Sequence, residues 1–285
     1  MQISISTFLL LLSIHSMTVA QSMKNIESRI ATTLEQSHEF LLKESELTNE
    51  RASQPGWPTN TQSDPDYRDS AEQAHLRLKG YLIKTLPEIP NSLSAPIGRT
   101  GGVWVAAAPD GKMRSWAWDT DLGGTMPVIY LILEYLTPKG IRVVDMTDTS
   151  EGAGNCGWYD TIYHIISDSK QSFYLPRMRL KASTCLTGAE ISAYSIEDTG
   201  LRTDVRIFKT PKKLLSSIDY EYNYFSNYDD STGTERHQLE LRDDGKLLTI
   251  PVVKNSGDPC GGEMTSKSLR YEFDGEHFVY KGISK

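Results

Sequence analysis

Histidines come first among the side chains that could move a proton, and five lie beyond the first twenty residues: His38, His75, His164, His237 and His277. None is spaced as a zinc-binding His-Glu-x-x-His helix, and no Cys/His cluster gives a zinc signature. His164 lies in Ile162-Tyr163-His164-Ile165, on the strand face opposite Tyr163 and Ile165, where a packed histidine is the ordinary outcome. There is no Gly-x-Ser-x-Gly elbow and no Ser-x-x-Lys nucleophile. A glycosidase needs two carboxylates facing across a cleft. Asp119, Asp121, Glu134 and Asp160 are available, but their spacing pairs none of them. The sequence therefore assigns no catalytic residue, metal ligand or cofactor.

Aromatic residues offer binding chemistry instead. Trp116 and Trp118, two apart beside Asp119, point to one face of a strand and could stack on sugar rings. Val103 and Val105 fall opposite them, which favours a core position for both indoles. The Gly123-Gly124-Thr125 segment could form an anion-binding backbone nest. It lacks the lysine and helix of a phosphate loop and reads as a turn. Tyr220, Tyr222 and Tyr224 alternate along a strand as a second stripe, either a contact surface or one layer of packed sheets. These six residues, Trp116, Trp118, Asp119, Tyr220, Tyr222 and Tyr224, are the binding candidates.

Two helices and a long β region must position them. Met23, Ile26, Ile30, Leu34 and Leu41 recur at helical spacing within 23–50, and Pro55 and Gly56 end that pattern. A turn-rich loop follows over 59–66. A second helix runs from Tyr67 to Thr85, closed by Pro87 and Pro90. From about residue 100 the period changes to two. Three Asp-Gly pairs mark hairpins, because both central residues of a tight hairpin turn need positive φ. Asp110-Gly111 sets Val105 against Trp116 and Val103 against Trp118. Asp244-Gly245 sets Leu241 against Leu248 and Leu239 against Ile250, with Glu240 facing Thr249 on the other side. Asp274-Gly275 sets Tyr271 against Phe278 and Leu269 against Tyr280. Each register gives one apolar face, as a half-buried hairpin requires.

Further strands pair 127–136 with 141–146, 158–166 with 171–178, and 190–196 with 203–208, followed by 217–225; segments 147–156 and 226–236 read as exposed loops. The expected fold is mainly β: an antiparallel meander, propeller-like, barrel or two packed sheets, preceded by two N-terminal helices.

The first twenty residues hold no Lys, Arg, Asp or Glu, and Phe8 to Leu12 form a short apolar run before Ser16-Met17-Thr18-Val19-Ala20. That pattern fits a signal peptide cut near Ala20, and the run is too short for a span of about 20 residues. The organisation is then a signal over 1–20, a helical region over 21–95 and a β region over 96–285. The formal charge of −7 disfavours nucleic acid and anionic membranes as partners, and no membrane insertion follows cleavage.

Export brings oxidising conditions, and Cys156, Cys185 and Cys260 allow one bridge. In the 158–178 hairpin, residue 158 falls opposite about residue 179. Cys156 and Cys185 then lie just beyond its two ends. This register favours Cys156–Cys185, with Cys156–Cys260 as competitor because both sit in Gly-rich loops.

Asp110-Gly111-Lys112, Trp118-Asp119-Thr120 and Gly123-Gly124-Thr125-Met126 together resemble a block in a family of exported bacterial proteins of unknown function. Leu248 to Val253 and Arg270 to Gly275 with Phe278 are similar to that family's closing hairpins. The three cysteines and the polar segments 147–156 and 255–266 depart from it. The resemblance implies export and a β-rich body, and no activity. Together these readings lead us to expect an exported (periplasmic or secreted), non-enzymatic protein that binds a protein or glycan or serves the envelope structurally. The alternative is an extracytoplasmic hydrolase of a glycan or other envelope polymer.

Overall fold

A computed structural model describes residues 5–53, 66–97, 101–147, 156–236 and 238–284. His237, most of the 147–156 loop and most of the 53–66 linker lie outside the described residues. Helix α1 (Ile5–Ala52) runs through the predicted cleavage point; the side chains of the Phe8–Leu12 run also lie outside the description. Helix α2 (Tyr67–Thr85) starts where Asp66 accepts a hydrogen bond from the Asp69 amide at 2.8 Å, and a 3-10 turn containing Pro87 follows it. Among the described residues no helix is long and apolar enough to cross a membrane.

The β region divides among three main sheets stacked face to face. The first holds β1 (Val103–Ala107), β2 (Met113–Asp119), β3 (Ile129–Thr137) and β4 (Gly140–Asp145) in chain order. Met23, Ile26 and Ile30 of α1 and Leu78 and Leu82 of α2 cover one of its faces, packing on Trp116, Trp118 and Ile132. Its other face meets the second sheet through Ala117, Leu131 and Leu133 against Tyr159, Ile162 and Tyr174. Burial on both faces explains why β3 reads as a continuous apolar run. Glu134 interrupts that run and is fully buried, accepting from the Trp116 indole at 3.3 Å and from the Ser92 hydroxyl. Its cross-strand neighbour Arg114, also buried, donates to the carbonyls of Ser92, Leu93 and Ala95.

The second sheet contains β5 (Gly157–Ile166), β6 (Ser172–Lys181) and β7 (Leu186–Ser192). Next in the chain come a small hairpin of β8 (Ser195–Glu197) and β9 (Gly200–Arg202), then β10 (Phe208–Lys209) and β11 (Leu214–Leu215). Strand β12 (Ser217–Asn223) completes the second sheet in the order β12-β7-β6-β5. A helical turn α3 (Tyr224–Asn227) and a short hairpin of β13 (Tyr228–Asp229) and β14 (Thr234–Glu235) follow. Strands β15 (Glu240–Arg242), β16 (Leu247–Lys254), β17 (Glu263–Phe273) and β18 (Phe278–Ser284) form the third sheet together with β10 and β11. Among the described strand ladders only β10 and β18 run parallel, and an isolated parallel bridge joins Tyr222 to Gly262. Phe173, Leu175 and Ile191 of the second sheet bury against Leu248, Ile250, Tyr271 and Phe278 of the third.

The fold is thus mainly antiparallel β behind N-terminal helices, with its strands in stacked sheets and one sheet curled as a half-barrel. The Asp110-Gly111 and Asp244-Gly245 hairpins have the expected registers. At Asp274-Gly275 the expected partners are displaced, by two near the turn, where Phe273 faces Phe278 and Tyr271 faces Tyr280, and by three beyond a bulge between Arg270 and Tyr271, where Leu269 faces Ile283. The tight turn centres on Gly275-Glu276, because Asp274 pairs with His277 through its backbone and caps the Glu276 and His277 amides with its carboxylate. A shift of two preserves the faces.

The pairing of 190–196 with 203–208 is also corrected. The turn at Asp198-Thr199-Gly200 draws Ser195–Glu197 into its own hairpin with Gly200–Arg202, and β7 pairs with β6 and β12.

The disulfide joins Cys185 to Cys260, with Cα atoms 5.2 Å apart, and Cys156 is a free thiol. The 158–179 register holds, and its consequence for the cysteines does not. Beyond Lys181 the chain turns at once into β7, and the Cys185 carbonyl accepts from the Tyr224 amide at the end of β12. Asn223 there bonds to Gly262, which brings the Cys260 turn alongside. Cys156 stays beside β5, two strand spacings or about 9–10 Å from β7, beyond disulfide reach of about 4.4–6.8 Å.

Candidate functional site

The second sheet has one face of two characters. Near the β5–β6 turn it carries Ile165, Phe173 and Leu175 against the third sheet. Strand β6 continues as Arg177-Met178-Arg179-Leu180-Lys181, so the same face becomes a row of three cations. Trp158 lies opposite Arg179, and Tyr220 follows two strands further on. A β-bulge at Asp160 sets Asp160 and Thr161 side by side toward these arginines.

The result is a continuous ionic network. Asp160 accepts from Arg177 at 2.7 and 2.9 Å and from Arg179 at 2.9 Å. Arg179 also pairs with Glu235 on β14, and Glu235 accepts from the Tyr222 hydroxyl at 2.5 Å. Arg177 reaches the Leu239 carbonyl at 2.7 Å. Burial works to lower the pKa of Arg179, but its bonds to Glu235 and Asp160 outweigh it and hold the guanidinium more firmly charged than in water. Tyr222 is pushed up, by burial first and by Glu235 second.

Above this network opens a cleft of about 400 Å³, lined by Trp158, Arg179, Lys181, Ser183, Thr184, Thr187, Tyr224 and Glu235. The Trp158 indole stacks on Trp104 at 4.6 Å and 16°, and Tyr224 stacks on Tyr228 at 5.1 Å. The disulfide anchors the Ser183–Cys185 rim, where the Ser183 hydroxyl accepts from the Leu186 amide at 2.9 Å. The cleft combines aromatic walls, hydroxyls and a cationic edge. The carboxylate in its lining, Glu235, already accepts from Arg179 and Tyr222.

Of the six expected binding residues only Tyr224 lines the cleft, and the other five are placed elsewhere. Trp116 and Trp118 are fully buried beneath the helices, as the opposing valines indicated. Asp119 lies at the end of β2, where its carboxylate caps the Asp121 amide at 2.9 Å; burial raises its pKa. The tyrosine stripe is interrupted, since β12 ends at Asn223 and Tyr224 begins α3. Tyr222 is buried in the network, Tyr220 packs toward the third sheet, and Tyr224 alone of the three lines the cleft.

The proton-moving candidates are held apart or sealed. Glu134 is buried with Arg114, and Asp160 is tied to two arginines. His164 stacks on Tyr174 at 5.0 Å and sits 3.7 Å from Asp110, which accepts from the Tyr174 hydroxyl. This cluster clamps the Asp110-Gly111 turn to the second sheet and contains no nucleophile. His75 bonds to Ser37 at 2.7 Å between the two helices, and both are buried. Among the described residues no group of His, Cys, Asp and Glu could hold a metal.

Sequence reasoning missed Trp104, Trp158, Arg177, Arg179, Lys181 and Glu235. One signal was present: three basic residues at period two on a strand whose hairpin partner carries Trp158 and Asp160. No family model matches the chain, and no curated protein and no solved structure matches it.

Proposed function

We propose that this chain is an exported, non-enzymatic binding protein whose cleft between Trp158 and Tyr224 holds a ring-bearing ligand. The carrying observation is the cleft itself. It presents aromatic rings and hydroxyls, while Asp160 and Glu235 spend their oxygens on Arg177, Arg179 and Tyr222. A hydrolase needs a free carboxylate pair, or a nucleophile with a base, aimed into such a space. Placement outside the cytoplasm is part of the proposal, and so is membership of the exported family with the Trp-Asp-Thr and Gly-Gly-Thr-Met block. The charge-free leader and the disulfide support export. The test is to incubate the purified protein with glycans, peptidoglycan and peptides, following both retention and product release. Retention without turnover supports the reading; turnover of any of them refutes it.

A further inference from the structure

We infer that the ligand of this cleft is an acidic saccharide, bound through an aromatic platform and a single carboxylate contact at Lys181. The inference rests on the binding reading above and deepens it.

Charge bookkeeping around the cleft leads there. Arg177, Arg179 and Lys181 supply three cations, and Asp160 and Glu235 two carboxylates. Both arginines are engaged with those carboxylates. Lys181 is exposed at the rim and has no ion pair among the described residues. Asp119 lies near enough to feel its charge but makes no bridge to it. One uncommitted cation suits one carboxylate, whereas a run of phosphates calls for several. This cation is placed on a chain whose formal charge is −7.

The remaining lining selects the body of the ligand. Trp158 is braced from behind by Trp104, which keeps the indole plane fixed for stacking. Ser183, Thr184 and Thr187 place three hydroxyls beside the rings. Thr187 donates to the Leu180 carbonyl, leaving its lone pairs to accept from a ligand hydroxyl. Alternating ring faces and hydroxyls is saccharide chemistry. A peptide adding as a strand would need a free sheet edge. The outer side of β5 makes no strand pair, but β1 lies beside it and Trp104 stacks on Trp158 there, which obstructs a strand-adding peptide. The Cys185–Cys260 bridge fixes the rim that carries Ser183 and Thr184, so little ordering is left to binding.

The experiment is calorimetric titration of the full chain with matched pairs: tetragalacturonate and its methyl ester, a hyaluronan hexasaccharide and its carboxyl-reduced form, and sialyllactose and lactose. An acidic peptide, Glu-Tyr-Glu-Tyr, is the control for the other ligand class. At least one acidic member is expected to bind about two- to fivefold more tightly than its neutral partner. In Lys181→Gln that preference disappears, and in Trp158→Ala both members weaken. Raising the salt concentration erodes the preference as well. Equal binding of acidic and neutral members overturns the inference and leaves the binding reading standing. Binding of the peptide but of no saccharide does the same. Silence across saccharides and peptide overturns both.

Discussion

His75 makes the stability of this fold dependent on mild acid, and the size of the effect follows from its surroundings. The imidazole is 1 % exposed, packed edge-on to Tyr130 at 6.3 Å and bonded through Nε2 to Ser37. Its Nδ1 has no hydrogen bond of good geometry among the described residues, although the Thr120 backbone lies near. Burial dominates and lowers the pKa from 6.5 to about 4, against the weaker pull of Thr120 and Asp121. The unfolded chain therefore binds the proton first. The stability that His75 contributes is present above pH 6.5 and is lost as pH falls toward 4. Linkage over that window gives about 3 kcal/mol between pH 7 and pH 4. Urea unfolding of wild type and His75→Gln at pH 7, 6, 5 and 4 isolates the term, because every other titrating group is common to both. Glutamine can keep the bond to Ser37. The wild type should lose about 3 kcal/mol more than the variant across the range. Parallel pH profiles would refute the assignment of a neutral, desolvated histidine.

Removing the disulfide with Cys185→Ala and Cys260→Ala opens a covalent loop of 75 residues. Loop-closure entropy puts the loss at about 4.5 kcal/mol, read as a lower urea midpoint. Peptide mapping without reductant should join Cys185 to Cys260 and alkylate Cys156, and a Cys156–Cys185 peptide would contradict the sheet order. Trp116→Ala should cost about 3–5 kcal/mol while ligand retention by the surviving folded fraction is unchanged; lost retention at preserved stability would return Trp116 to the binding surface. Arg179→Leu leaves Glu235 without its cation and should destabilise by about 2–4 kcal/mol, with less than 0.5 kcal/mol, about the size of an exposed pair, counting against a cooperative network.

Much of the scaffold was legible because its signals are local. Asp110-Gly111 and Asp244-Gly245 fixed two registers, and the apolar spacing in 23–50 and 67–85 gave both helices. Gly275 misled by two positions because one glycine can take the first or the second central place of a turn, and the Asp274 side chain decided between them. The cysteine partner depended on which strand lies beside β7, a long-range fact that hairpin geometry does not contain. Trp116 and Trp118 show the same limit, since period two places residues on a face without saying that helices will cover it. The cleft arises from the Asp160 bulge, the β6 cations and Glu235, brought together by the sheet order and the β13–β14 hairpin. Only the alternation of Arg177, Arg179 and Lys181 was visible in the sequence.

Ligand entry into the cleft beside Trp158 can be read from the indole N–H resonances. In ¹⁵N-labelled protein, the Trp104, Trp116, Trp118 and Trp158 signals are assigned by single substitution to phenylalanine and followed during titration with the saccharide and peptide panel. A panel member is expected to move Trp158, and Trp104 stacked behind it, while the buried Trp116 and Trp118 stay in place. A panel that leaves Trp158 unmoved, or a ligand that shifts Trp116 and Trp118 instead, would contradict ligand entry at this cleft.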